Sequence, residues 1–381
     1  MGKPRQDNFC IILPKMDLSD RRISPFDENV ALRSGSYLWL LLLVPFFSTA
    51  SFAQSDRYNV IQLETRPEVS SMVRGLNNSA LVVGRFGTEF NTGTRGFIWN
   101  GGNQIEQLDS LPSGDFSEAV SVNELGDVVG SSNTKSHLRA LLWTKDGEMR
   151  DLGTSPGDSG ARATAINRSG QVVGWSFGPH GTSAFLWTKK DGMQSLTPLA
   201  GSDFSQATSI NNRGVIAGTS GFAHGDHRAV VWENAAVIKD LGVLPGDSGS
   251  ESYAINNSGQ VVGASSGPSG IHAFIWTDRD GMRSLGSLPG GEAFSMALGI
   301  NNSGQVVGLA SRSTVESHAF ISTSRSGMRD LNDLIPADLQ ILLVAAVGIN
   351  DRGQIIAYGG NRDTFEHDTP SSVYLLTPKG K

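Results

Sequence analysis

Side chains that could carry chemistry recur along this chain at nearly equal intervals. Seven copies of a short apolar string (Ala-Phe-Leu-Trp and its variants) each follow one variable residue: Arg95, Arg139, Ser183, Arg228, His272, His318 or Ser372. A second series is acidic: Asp115, Asp158, Asp203, Asp247, Glu292 and Asp338. Together they describe a charged rim that grips a polar ligand such as a glycan, a peptide or a cation. The alternative is structural: each Arg or His pairs with a loop acid or carbonyl and locks its own repeat. Repetition favours the lock, because a ligand site is not usually sevenfold.

A third series breaks the repetition. Glu118, Arg162, Gln206 and Glu251 occupy equivalent positions in four copies, where other copies have Met72, Met296 and Ala345. Acids and Arg converging on one axis are what a hydrolase or lyase needs, and the apolar copies weaken that case. Trp175 replaces the small residue common after Val-Val-Gly. It reads as an exposed stacking platform for a sugar, or as a filler between neighbouring units. His224, Asp226 and His227 put two imidazoles and a carboxylate within four residues, which suits a borderline metal. The spacing is not that of a helical zinc motif, so a polar loop tip is the favoured reading. No Ser-His-Asp order, phosphate loop or sialidase-type Asp-box is present, and no cofactor is implied.

The repeat that must position these residues is explicit. Ala254–Gly263 reads AINNSGQVVG and Gly299–Gly308 reads GINNSGQVVG. The first Asn of each copy is Asn77, Asn123, Asn167, Asn211, Asn256, Asn301 and Asn350, at spacings of 46, 44, 44, 45, 45 and 49. A period near 45 is a propeller or solenoid signature. Each copy holds four strand-sized pieces, here A (Ser250–Asn256), B (Gln260–Gly263), C (Ala273–Trp276) and D (Met282–Gly286). Asn-Asn-Ser-Gly joins A to B as a tight turn in which Asn and Gly are expected to supply positive φ. The Asn-x-Ser strings at Asn77, Asn167, Asn256 and Asn301 therefore read as turns, not glycosylation acceptors. A four-stranded unit with both faces covered, repeated radially, is a propeller blade.

The phase of the repeat predicts closure. The first piece, Tyr58–Leu63, matches D, and the last, Val373–Thr377, matches C. Pairing the two would complete seven four-stranded blades and cover an open sheet edge. The expected fold is an all-β, seven-bladed β-propeller closed by its N-terminal strand. The B–C and D–A loops then emerge on one face. B–C loops such as Arg85–Thr94, Thr219–His227 and Tyr358–Ser371 vary most in length. Variable loops on a rigid scaffold are the usual carriers of binding.

Ile255–Gly291 contains Ile-Asn-x-x-Gly-Gln-Val-Val-Gly, then His272-Ala273-Phe274-Ile275-Trp276, then Gly281-Met282 and Leu285–Gly291. This set resembles the HAF family of probable extracellular bacterial repeat proteins, over roughly residues 58–377. Only His272 and His318 keep the family's His. The resemblance implies an exported repeat protein and supplies no catalytic residues.

Composition agrees. Of 381 residues, 46 are Gly and only 18% are charged, as expected for short strands joined by tight turns. The net charge of −6 gives no basic footprint for nucleic acid. Residues 1–53 stand apart. Arg33, the apolar run Tyr37–Phe47 and Ser51-Phe52-Ala53 follow the order of a secretory signal peptide cut after Ala53. The run is short of the ~20 residues of a membrane span, although a short anchor is the alternative. Acidic residues upstream, such as Asp17 and Asp20, point to a start at Met16. The only cysteine, Cys10, lies in this leader, so a mature chain of 54–381 has no disulfide.

The expected organisation is a leader (1–53), one propeller (54–377) and a short tail (378–381). The expected role is an exported, monomeric binding or scaffolding module with no membrane span in the mature chain. Its ligand would be a glycan, a peptide or a protein. A channel-mouth hydrolase or lyase and a purely structural envelope component are the alternatives.

Overall fold

The Asn-x-x-Gly turn sets the pattern from which the fold is built. In Asn167–Gly170, the Asn167 Oδ1 accepts from the backbone N–H of Ser169 and Gln171, at 3.1 and 3.0 Å. Gly170 then takes a positive φ of 77°. The Gly of the other complete copies does the same, at 74–92°. Asn does not, contrary to the sequence expectation: its side chain closes the turn, and Gly alone supplies the left-handed residue. In the first copy Ala80 replaces the Gly and is held at φ 61°.

The structure, a computed structural model, describes residues 57–63, 71–87, 93–102, 105–222, 227–291, 294–313, 316–363 and 372–380. The leader, the cut at Ala53, and the candidates His224, Asp226 and Glu292 lie outside the described residues.

The chain is an all-β, propeller-like fold. Among the described residues, the helical segments are two short 3-10 turns, Leu331–Leu334 and Ala337–Leu339. The strands pair in antiparallel fours, A-B-C-D in order. Gly249–Ile255, Val261–Gly267, Gly270–Thr277 and Gly281–Ser284 form one such unit. Two units, Gly160–Ser195 and Phe204–Asp240, are linked into one sheet by a parallel pair, Thr182 with Phe204. The last unit has Ile341–Ile349, Ile355–Asn361 and Ser372–Pro378, and its fourth strand is Tyr58–Gln62. Tyr58 lies opposite Pro378 and Gln62 opposite Tyr374.

Strand A explains the Gly that follows Val-Val in most copies. Each A strand carries a bulge, for instance between Ser252 and Ala254. The bulge pushes a carbonyl against strand B. A Cβ at Gly84, Gly130, Gly174, Gly218, Gly263 or Gly308 would collide with the carbonyl oxygen of Met72, Glu118, Arg162, Gln206, Glu251 or Met296. In the last unit, Ala357 stands at the Gly position and the collision site moves to Gly359, against Leu342.

The core lies between units. Leu142 and Leu152 of one unit pack with Ala161, Phe185 and Trp187 of the next. Ile356 and Leu375 of the last unit pack with Val73, Val82 and Phe97 of the first. Phe97, Phe185, Phe274 and Phe320, one in each of four repeats, are fully buried. Each contributes about 1.5–3 kcal/mol relative to exposure. No unit can bury both faces alone, so its stability depends on its neighbours.

Candidate functional site

The turn Asn residues reach from unit to unit. Nδ2 of Asn77 donates to the Asn123 carbonyl, Asn123 to Asn167, Asn167 to Asn211, and Asn211 to Asn256. Asn256 donates to Asn301, Asn301 to Asn350, and Asn350 back to Asn77. Neighbouring A strands are thus in contact, Ser71–Leu76 with Ile341–Ile349 included. At the A–B end they line a funnel of about 360 Å³ with turn residues, among them Asn78, Glu124, Arg168, Asn302 and Asp351. Asp351 in this funnel accepts from Asn302 and Asn78. Burial would raise its pKa, and those hydrogen bonds outweigh burial and hold it below the usual value.

The opposite end of the A strands is not repetitive. Arg85, Glu118 and Arg162, from three successive units, form a buried ion cluster. Glu118 lies 3.1 Å from Arg85 Nη1 and 3.0 Å from Arg162 Nη2, and is only 2% exposed. Arg162 also lies 5.8 Å from the Trp175 ring, a cation–π distance. Trp175 is half-buried and tilts against Phe177, so it is not the exposed residue expected from sequence. Two units further on, Glu251 accepts from Tyr253 at 3.0 Å and contacts His227 Nδ1 at 3.2 Å. Burial, then the Glu251 charge, pushes the Tyr253 phenol well above its usual pKa. Gln206 is half-buried between these groups along the ring of A strands. Met72, Met296 and Ala345 stand at the equivalent positions of the other A strands.

Two of the four channel candidates, Glu118 and Arg162, are therefore in contact. Arg85 was missing from the sequence candidates. It sits on strand B, where the other copies have Ser131, Trp175, Thr219, Ala264, Leu309 and Tyr358, so no residue type marks the position. Of the metal trio only His227 is described, and its ring stacks on Phe204 and faces Glu251 and the Phe222 carbonyl. Among the described residues, no group of three or more His, Cys, Asp or Glu could hold a metal ion.

The residues preceding strand C lie further out, on the third strands, and mostly serve their own unit. Arg139 pairs with Asp151 and Arg228 with Asp240, at 3.0 and 3.2 Å. His318 contacts Asp330 at 2.5 Å. Arg95 donates to the carbonyls of Thr94 and Asp115. His272, with Ser284 twelve residues on, contacts Ser269 at 3.1 Å. The acids of these pairs are on strand D, twelve residues after the partner, not in the D–A loops. The loop acids pack instead on the B–C hairpins. Asp115 accepts from Asn133 at 2.7 Å. Asp158 and Asp247 sit where a Cβ on Gly178 or Gly267 would be. Asp203 precedes strand Phe204–Ile210, and Asp338 lies in the second 3-10 turn.

No family model and no curated protein matches this sequence. Among solved structures, the fold is similar to virginiamycin B lyase from Staphylococcus aureus, at 12% identity and a TM-score of 0.54. The match covers 84% of this chain and 99% of that one. A streptogramin B lyase aligns equally well, at 12% identity, TM-score 0.54, and 85% and 98% coverage. The β-propeller domain of the Trilobed protease from Pyrococcus furiosus gives 8% identity, TM-score 0.51, and 81% and 93% coverage. At these identities the likeness is one of fold. Among the described residues, no helix is long and apolar enough to cross a membrane.

Proposed function

We propose that this chain is an exported β-propeller of seven four-stranded HAF-type blades, closed by its N-terminal strand. It acts as a binding or scaffolding module through the face that carries the B–C and D–A loops. Support for the ring comes from the Asn350–Asn77 hydrogen bond and the Tyr58–Gln62 pairing. The observation that carries the function is the Arg85–Glu118–Arg162 cluster beside Trp175. Guanidinium groups from two units meet one carboxylate at the axial end of that face, next to an aromatic surface. A guanidinium backed by an indole suits a ligand with a flat or sugar ring and an anionic group. The scaffold repeats and this cluster does not, which is the pattern expected of a site rather than of packing.

The rival is a lyase or hydrolase at the same axial mouth, a class to which two of the similar folds belong. One observation favours it: His227 and Tyr253 are each within hydrogen-bond reach of Glu251. Tyr253 stays protonated in this setting, so it is a donor rather than a base. A glycan and peptide array probed with residues 54–381 tests the proposal. One bound ligand class, lost in Trp175→Ala, supports the module. A silent array with turnover of a panel of ester and glycosidic substrates supports the rival.

A further inference from the structure

The sixth repeat departs from the lock seen elsewhere, and the departure opens a cavity. Where other units place Arg139 or Arg228 against a strand D acid, this one has His318, whose shorter side chain leaves space. The spacing to the next Asn is also the longest, 49 residues. The added residues form the 3-10 turns, whose first, Leu331–Leu334, is capped by Asp330. The result is a cavity of about 360 Å³, lined by Arg312, Glu316, His318, Asp330, Asp333 and Arg362 among others. That volume lies in the range of small-ligand sites.

Its groups have separate duties. Asp330 is committed: Oδ2 faces His318 Nδ1, and Oδ1 accepts from the Asn332 N–H and Nδ2, each at 2.9 Å. Asn332 in turn bonds both backbone groups of Leu343 in the next unit, at 2.8 and 2.9 Å. The wall is thus rigid. His318 is 8% exposed, and its Nε2 lies 3.1 Å from Glu316 Oε1 without hydrogen-bond alignment. The Arg312 guanidinium donates only to the Pro289 carbonyl, and no carboxylate among the described residues pairs with it or with that of Arg362. Two guanidinium groups at a rigid cavity are a fork for a carboxylate. Glu316 and Asp333 are acceptors for hydroxyl groups.

We propose that this cavity binds the acidic residue of a saccharide, a hexuronate. Arg312 and Arg362 take its carboxylate, and Glu316 and Asp333 take its hydroxyls. The proposal rests on the reading of the B–C and D–A face as a binding face, and adds a second, peripheral subsite to the axial one. With His318 protonated, the three cations balance Glu316, Asp330 and Asp333. Loss of its proton leaves the cavity net negative and disfavours an anion. Burial alone would lower the His318 pKa, but Asp330 and Glu316 outweigh it and hold it above the ordinary value.

Isothermal titration of the full chain with a glucuronate trisaccharide tests this, with the matching glucose trisaccharide and inorganic phosphate as comparisons. Binding of the glucuronate alone, weakened at least tenfold in Arg362→Ala and in Arg312→Ala, is the expected result. Affinity should also fall as pH rises, and this fall should vanish in His318→Gln. Hexuronate binding that persists in Trp175→Ala and still depends on Arg362 separates the cavity from the axial site. If that variant abolishes hexuronate binding and Arg362→Ala does not, the ligand belongs to the axial mouth and the cavity proposal is wrong. Equal binding of glucose, equal binding of phosphate, or no binding also overturns it.

Discussion

The Asn350 side chain donates to the Asn77 carbonyl at 2.9 Å, across 273 residues of sequence. The same bond joins Asn167 to Asn211 across 44. If the ring is closed, the two bonds are energetically equivalent. Asn→Asp keeps the oxygen that closes the turn and replaces the donor with a second acceptor. Asn350→Asp and Asn167→Asp should each lose about 1–3 kcal/mol, measured by urea unfolding. A much smaller loss at Asn350 would mean that the ends do not meet in solution.

Removal of residues 54–64 takes away the strand opposite Ser372–Pro378. It exposes the edge of the last sheet and removes the fully buried Leu63 and nearly buried Tyr58. These two side chains alone account for about 3–6 kcal/mol. The truncated chain should melt far below the parent and aggregate. Unchanged cooperative melting would contradict closure.

Among the described A–B turns, Ala80 is the one residue that holds a positive φ without being Gly, at 61°. Ala80→Gly should relieve that strain and stabilise the protein by up to about 1 kcal/mol, net of unfolded-state entropy. Gly170→Ala is the converse. A Cβ there meets nothing within 4 Å, so its cost of about 1 kcal/mol is purely conformational. Equal thermal shifts of the same sign in the two variants would refute the argument.

The ion pairs should differ sharply. Arg139 and Asp151 are 27% and 36% exposed. A double-mutant cycle on them should give a coupling of about 0.5 kcal/mol, screened by salt. Glu118 is buried between two guanidinium groups. Glu118→Gln should cost about 3–5 kcal/mol, because it removes the carboxylate from a buried, hydrogen-bonded ion cluster. Similar effects at both sites would show that the Arg85–Glu118–Arg162 cluster is solvated.

The His318–Asp330 pair gives stability a pH dependence. The raised His318 pKa means that its contribution is fully present below the unfolded value of about 6.5. That contribution is lost as pH rises through the folded value. For Asp330, burial raises the pKa, and the hydrogen bonds and charge of His318, with the Asn332 donors, outweigh it. The contribution of Asp330 is therefore present above the ordinary carboxylate pKa and lost as pH falls through the lowered one. The melting-temperature gap between the parent and His318→Gln should shrink from about pH 6 to about pH 9. A gap that widens over this range would reverse the assignment.

The repeat and its phase are legible in the sequence because turn chemistry leaves little choice of residue. Asn closes each A–B turn through its side chain, and Gly follows it in every copy but the first. The strand C locks are also legible, in hindsight of geometry: Arg139 and Asp151, Arg228 and Asp240, and His318 and Asp330 all stand twelve apart. The D–A acids obscure this, since they are closer along the chain to where a loop partner is expected. Arg85 and the Arg312–Arg362 cavity are not legible. A strand B position with no recurring residue type carries no signal. The cavity depends on what a shorter His leaves empty, which is a matter of volume rather than of pattern.

The central claim is that a ligand engages the axial cluster on the B–C and D–A face. It is tested most directly by the affinity of Trp175→Ala for the ligand class that the array identifies, at fixed salt, beside its melting temperature. The account predicts at least a tenfold loss of affinity, about 1.4 kcal/mol, measured well below the variant's own melting temperature. Full affinity in Trp175→Ala would contradict it.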